Sequence, residues 1–231
     1  MSLLTSAIAA ITATSLVAGA DPYALHRERM VKEQMERREI HNPEVLRIMR
    51  LTPRHLFVPE AGQSVAYEDE PLPIGYGATI SQPFIVALMT DLLHVEKTHR
   101  VLEIGSGSGY QAAVLAQLVR QVYTIEIVPE LARSARARLR LLGYHNVNVR
   151  EGDGYQGWPE EAPFDRIVLT AAPREIPNTL IDQLARGGRL VAPVGPFWNQ
   201  DLVVLEKGMD GRIRRFTASK VAFVPMRQGD E

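Results

Sequence analysis

The chain has 231 residues, 45% of them apolar and 23% charged, which suits one soluble globular domain with a full core. Its formal net charge of −1 leaves no electrostatic footprint for nucleic acid. The absence of cysteine excludes disulfides, thiolate catalysis and Cys-ligated zinc, and the six histidines show no HExxH or similar spacing, so no metal is expected.

The first twenty residues, MSLLTSAIAAITATSLVAGA, carry no charged side chain and end in Ala18-Gly19-Ala20, which would pass as a signal-peptidase site. No Lys or Arg precedes the apolar run, and Ser and Thr dilute it, so it is a weak membrane span. Residues 1–20 are therefore an N-terminal extension or a possible signal segment. From Asp21 the pattern is helical: an N-cap aspartate, Pro22 at the first helical position, and Leu25, Met30 or Val31, and Met35 at helical spacing. Asn42-Pro43 opens a second helix in the same way. The stretch YEDEPLPIGYGATISQP is rich in proline and glycine and reads as ordered loop or short strands.

From Arg100 strands and helices alternate. RVLEIG, QVYTIEI, VNVREGD and FDRIVLTAA are strands, with helices over YQAAVLAQLV and PELARSARARLRLLG. IPNTLIDQLARGG reads as a helix closed by Gly187-Gly188, and RLVAPVG, DLVVLEKG and KVAFVPM as further strands. This order predicts an α/β fold: a doubly wound, mostly parallel sheet with N-terminal helices and extra C-terminal strands. Residues 21–231 form one domain, with a helical part over 21–60, an active-site loop over 65–90 and a ligand-binding core over 100–231.

The chemistry centres on VLEIGSGSGYQ. Gly105, Gly107 and Gly109 turn the first core strand into its helix, where glycines admit positive φ and close approach of a ligand. A dinucleotide fingerprint is G-x-G-x-x-G; here the pattern is E-x-G-x-G-x-G, with Glu103 two residues ahead of the first glycine. An acid beside a phosphate would repel it, whereas it accepts hydrogen bonds from an ammonium group. Glu126, ending the second strand, is placed to accept both ribose hydroxyls, and Asp153, followed by Gly154, to accept from an adenine amino group. A ligand with an amino-acid end, a ribose diol and an adenine but no phosphate is S-adenosyl-L-methionine. The expected core is a Rossmann-like class I methyltransferase.

With that loop, TISQPFIVALMTDLL, YEDEPLPIGYG, GDGYQGWPEEAPFDRIVLTAAP and LIDQLARGGRLVAPVG resemble the protein-L-isoaspartate O-methyltransferases, the protein-repair carboxyl methyltransferases, over roughly residues 25–226. The resemblance implies transfer of a methyl group to the free α-carboxylate of L-isoaspartyl residues, with Ser81 as the active-site serine. It implies a donor set of Thr79, Ile80, Glu103, Gly105, Gly107, Gly109, Glu126, Asp153 and Gly154, and a loop-ordering part for Asp69. On local grounds alone Ser81 also reads as a helix N-cap before Pro83. Animal members carry a histidine shortly after the serine where this chain has Val86, and they have a longer tail than RQGDE. The expected partners are isoaspartyl-containing proteins and peptides, with no nucleic acid, no metal and no stable membrane association, and the chain is expected to be a monomer. Because the donor is made in the cytosol, a cytoplasmic location is expected, or a periplasmic one if residues 1–20 are a cleaved signal peptide. Two alternatives remain at this level: the same fold with another acceptor, and a non-catalytic isoaspartyl-binding module.

Overall fold

The structure, a computed structural model, describes residues 21–229; the extension or signal segment over 1–20 lies outside the described residues. A seven-stranded sheet runs in the order β5-β4-β3-β6-β7-β8-β9. Its strands are β3 (Arg100–Ile104), β4 (Gln121–Glu126), β5 (Val147–Glu151), β6 (Phe164–Leu169), β7 (Leu184–Val194), β8 (Gln200–Lys207) and β9 (Ile213–Val221). Strands β3 to β7 are parallel, while β8 and β9 add to them by antiparallel hairpins. After their first residues β3 and β4 are buried throughout, as expected of parallel strands covered on both faces. Helices α4 (Tyr110–Ala116), α5 (Pro129–Leu141) and α6 (Asn178–Gln183) connect them. Every residue of α4 is buried, and Ala112, Ala113 and Ala116 let it lie close against the sheet.

The N-terminal layer comprises α1 (Ala24–Met30), α2 (Pro43–Leu51) and α3 (Pro83–Leu92), with the hairpin of β1 (Leu72–Gly75) and β2 (Ala78–Ile80) ahead of α3. Asn42 caps α2, its side chain accepting from Glu44 and Val45 N–H at 3.1 and 3.4 Å. Helix α1 continues through a wider turn, Val31–Met35, and a tighter one, Glu36–Arg38. That irregularity keeps Met30, Val31 and Met35 buried while leaving Leu25 83% exposed, so Leu25 is not part of the expected apolar stripe.

Two expected elements differ. The helix expected to run to Gly187-Gly188 stops at Gln183, and Leu184 already pairs with Phe164 of β6. The glycine pair sits inside β7 at a register shift between Phe164 and Arg166, so it marks a bulge rather than a helix end. The Gln183 side chain turns inward and bonds Trp158 N–H at 2.7 Å and Gln156 C=O at 2.9 Å, which ends the helix there. The last strand is β9, not KVAFVPM. Residues 222–226 instead run across the strand ends, where Ala172 N–H bonds Val224 C=O and Met226 N–H bonds Ala172 C=O, both at 2.9 Å.

One side chain holds that crossing segment as a strand would. Gln200 is 2% exposed; it accepts from Phe223 N–H at 2.6 Å and donates to Phe223 C=O at 3.0 Å. Gln200→Ala leaves both Phe223 backbone groups unpaired in a buried place, which should lower the unfolding free energy by about 2 kcal/mol. Urea unfolding of the variant checks this, and an unchanged midpoint would show that the segment needs no such support.

Candidate active site

The glycine turn after β3 lies where neighbouring strands leave the sheet centre in opposite directions, toward β4 on one side and β6 on the other. This is the crevice in which open α/β sheets bind ligands. The turn is fastened to β4: Gly105 and Ser106 N–H both reach Ile125 C=O, at 2.8 and 3.3 Å, and Gly107 N–H reaches Glu126 Oε2 at 2.8 Å. Thr170, just after β6, donates its hydroxyl to Gly105 C=O at 2.5 Å. A Cβ on Gly105 (φ 98°) would stand 2.5 Å from that hydroxyl, so no larger residue fits.

Above this floor is a cavity of about 470 Å³. Of the expected residues, Thr79, Ile80, Ser81, Glu103, Gly105, Gly107, Glu126 and Gly154 line it. Gly109 does not; it begins α4 and faces Leu139 and Ala135 of α5. Asp153 does not either, because its carboxylate is turned to Tyr155 N–H at 2.8 Å and to Gly229 N–H at 3.4 Å. Ser106 within the glycine turn, Tyr76 of the expected active-site loop and Met226 of the terminal VAFVPM segment also line the cavity, as do Thr170, Phe197 and Arg227, which the sequence reading missed. These last three come from separate turns and from the crossing tail, and no local motif marks them.

The two central acids differ in state. Glu126 uses Oε1 for Val128 N–H at 3.0 Å and Oε2 for Gly107 N–H, which leaves one lone pair on each oxygen for a ligand. Glu103 is wholly buried and neither of its oxygens has a hydrogen-bond partner. Burial pushes its carboxyl up to about 8, with Glu126 adding to the rise and the nearby Thr124 hydroxyl opposing it. Thr124 is itself 2.7 Å from Ser106 Oγ.

Ser81 follows β2, and helix α3 begins behind it with Gln82 at the cap position and Pro83 in the first turn. No side chain caps α3, and Ser81 Oγ makes no hydrogen bond among the described residues, so the N-cap reading of this serine fails. Ser81 also lines a second groove, shared with Thr79, Thr170 and Val224 and walled by Pro71, Ile85 and Lys220–Phe223. Val86, where animal members of the resembled family have a histidine, is 2% exposed and lines the main cavity without a polar group. Asp69 lies outside both cavities; it pairs with Arg38 at 2.5 Å, and the Arg38 guanidinium lies 3.7 Å over the Phe84 ring of α3.

An unpartnered carboxyl, a half-engaged one and a backbone cradle, with Arg227 the one cation among the described lining residues, suit an ammonium, a diol and an uncharged base and offer little to phosphate. The fold and cavity define a class I S-adenosyl-L-methionine-dependent methyltransferase. Comparison with known proteins narrows this. The sequence profile of protein-L-isoaspartate(D-aspartate) O-methyltransferase matches residues 25–231. A protein-L-isoaspartate O-methyltransferase 2 of Syntrophobacter fumaroxidans is 52% identical, over 97% of this chain and 98% of that one. A solved protein-L-isoaspartate O-methyltransferase superposes with a TM-score of 0.79 at 28% identity, covering 88% of this chain and 66% of the other. A Plasmodium falciparum protein described as the same enzyme, solved with S-adenosyl-L-homocysteine, gives 0.75 at 27%, covering 87% and 98%. The chain belongs to the protein-L-isoaspartate(D-aspartate) O-methyltransferase family.

The raised carboxyl of Glu103 has a measurable consequence. Folded protein holds one proton more than the unfolded chain between the ordinary glutamate range and about pH 8, so this group's contribution to stability falls as pH rises through that window. Glu103→Gln removes the titration. Thermal melts without donor should show the variant gaining on the native protein from about pH 5 to about pH 8; parallel curves would mean that Glu103 is ionised throughout.

Proposed function

We propose that cavity and groove divide one reaction between them: the cavity holds S-adenosyl-L-methionine, the groove holds an isoaspartyl segment, and Ser81 at their junction orients the acceptor carboxylate. The enzyme methylates the free α-carboxylate of L-isoaspartyl residues in proteins and peptides, the first step in returning them to aspartyl residues through a succinimide. The observation that carries the division is that Ser81 lines both spaces with its hydroxyl unengaged.

When bound, the donor supplies an electrophilic methyl group on a sulfonium. Glu103 would hold the ammonium group at the cavity floor as a carboxylate, its proton passing to solvent, which relieves the cost of its burial. Glu126 accepts the ribose hydroxyls with its remaining lone pairs. Ile104, Ile125 and Ile127 line the cavity and would flank the adenine. Thr79 and Ile80 set the wall beside Ser81, while Gly109 and Asp153 act one step back. Gly109 starts α4, and Asp153 caps the short turn that begins with Gly154.

An acceptor carboxyl of ordinary pKa, near ~3.5, is ionised at neutral pH, so no side chain need deprotonate it. What remains is to hold one oxygen in line with the methyl group and to exclude water. A neutral hydroxyl does this without repelling the carboxylate, as Asp or Glu would. The apolar lining of Val86, Ile80 and Met226 keeps the junction dry.

The deciding assay offers labelled donor to two peptides that differ only in L-isoaspartate against L-aspartate. Base-labile label on the first alone is expected; donor binding without label on either would remove the acceptor assignment and leave the fold. Ser81→Ala should lower turnover at least tenfold while donor Kd stays within a few fold, the signature of a contact that serves the acceptor. Glu126→Ala should weaken donor binding by about 1–3 kcal/mol, and part of that loss comes from Gly107 N–H, which the same carboxylate holds. Calorimetric titration separates the two, and equal losses of donor affinity would end the division of labour.

A further inference from the structure

Two large side chains beside the site have no part in this scheme. Strands β7 and β8 are joined through Gly195 and a turn closed by Asn199 N–H to Pro196 C=O at 2.9 Å. Phe197 and Trp198 hold its central positions and turn outward, 67% and 84% exposed. The turn is tight: a Cβ on Gly195 (φ 129°) would meet Asn199 O at 2.5 Å. Phe197 nevertheless lines the main cavity, as does Tyr76.

Tyr76 breaks a local rule. It sits at the tip of the β1–β2 hairpin at φ 54°, a left-handed conformation in which Asn, Asp or Gly is the usual residue. Arg227 steadies it, donating to Tyr76 C=O at 3.2 Å. On the other side Asn199 Oδ1 accepts from Lys220 Nζ at 2.8 Å, and Lys220 lines the groove. The turn therefore reaches from the cavity mouth to the groove rim.

We propose that the Phe197-Trp198 turn, together with Tyr76, is an aromatic rim that receives an apolar side chain next to the isoaspartyl residue, so that this enzyme favours acceptors with a large apolar neighbour. The inference rests on the groove being the acceptor site. Three observations select this occupant. Tyr76 and Phe197 of the rim line the cavity, and Asn199 of the same turn is bonded to Lys220 at the groove. Arg227, the rim's attachment on the cavity side, is a cation that disfavours a basic neighbour, while Lys220 on the groove side is paired with Asp201 at 2.7 Å. Three side chains offer far less than the ~800 Å² per partner that a stable dimer buries, so a second copy of the chain is the poorer fit.

The test measures kcat and KM on isoaspartyl peptides that differ only in the flanking residues, Phe, Gly or Lys on either side, for the native enzyme, Phe197→Ala and Trp198→Ala. The native enzyme should prefer the Phe-flanked peptide over the Gly-flanked one by roughly five- to tenfold in kcat/KM, through KM. Trp198→Ala should bring that ratio below about twofold, with Phe197→Ala acting in the same direction; both side chains are exposed, and circular dichroism confirms folding. A native ratio near one, or a ratio that neither variant changes, overturns the inference while methylation of the Gly-flanked peptide upholds the acceptor assignment. Preference for the Lys-flanked peptide also overturns it, in favour of a cation–π site. Concentration-dependent sedimentation abolished by Trp198→Ala, with the ratio unchanged, would overturn it in favour of self-association.

Discussion

The carboxylate of Glu126 and the carbonyl of Ile125, side by side at the end of β4, hold the backbone of the glycine turn after β3. Three successive N–H groups, those of Gly105, Ser106 and Gly107, end on these two residues. The turn is thereby flattened against the neighbouring strand, α4 starts in the right direction, and the space above the strand ends stays open. Thr170 closes the other side by bonding Gly105 C=O. The same carboxylate that shapes the cradle also lines the cavity with acceptor capacity to spare, so one side chain both holds the loop and offers acceptors to a ligand.

Around this cradle the protein departs from what stability alone would select. Glu103 is an acid with no partner in the middle of the sheet, Tyr76 is an aromatic residue in a left-handed conformation, and Trp198 is held out in water. Thr90, Gln111 and Gln200 are bonded, to Val86 C=O, Thr90 and Phe223, whereas Arg54 Nη1 and Nη2 and the Tyr110 hydroxyl are buried without a partner. Glu103 and Tyr76 both line the cavity, and conflicts between local and global preference gathered at one site are the pattern of function.

The N-terminal layer shows how the short hairpin ahead of Ser81 is held in place. Arg54 is completely buried, donates to Ala66 C=O at 2.7 Å and lies 5.1 Å over the Tyr110 ring of α4. Gln34 holds Tyr67 C=O at 2.7 Å. Arg38 ties Asp69 to the start of α3. The chain entering the hairpin is thus anchored at residues 66, 67 and 69, and α3 leaves it directly after Ser81. A side chain on a loop acquires in this way the positional definition of one on a helix.

The amino-acid sequence by itself determined the alternating core and its ligand class. Buried parallel strands such as β3 and β4 are largely apolar, and the glycines of E-x-G-x-G-x-G mark a turn that needs positive φ. TISQP and its surroundings likewise pointed to the family, which the relatives bear out over nearly the whole chain. The sequence misjudged the end of α6 and the place of the last strand. There tertiary contacts decide: Gln183 finds its partners at Gln156 and Trp158, and β9 is an edge strand of exposed residues with no apolar alternation to reveal it. Only the folded chain turned Asp153 away from the cavity and brought Thr170, Phe197 and Arg227 into it. Those residues are distant in sequence and meet because several strand ends share one edge, a relation that no spacing along the chain records.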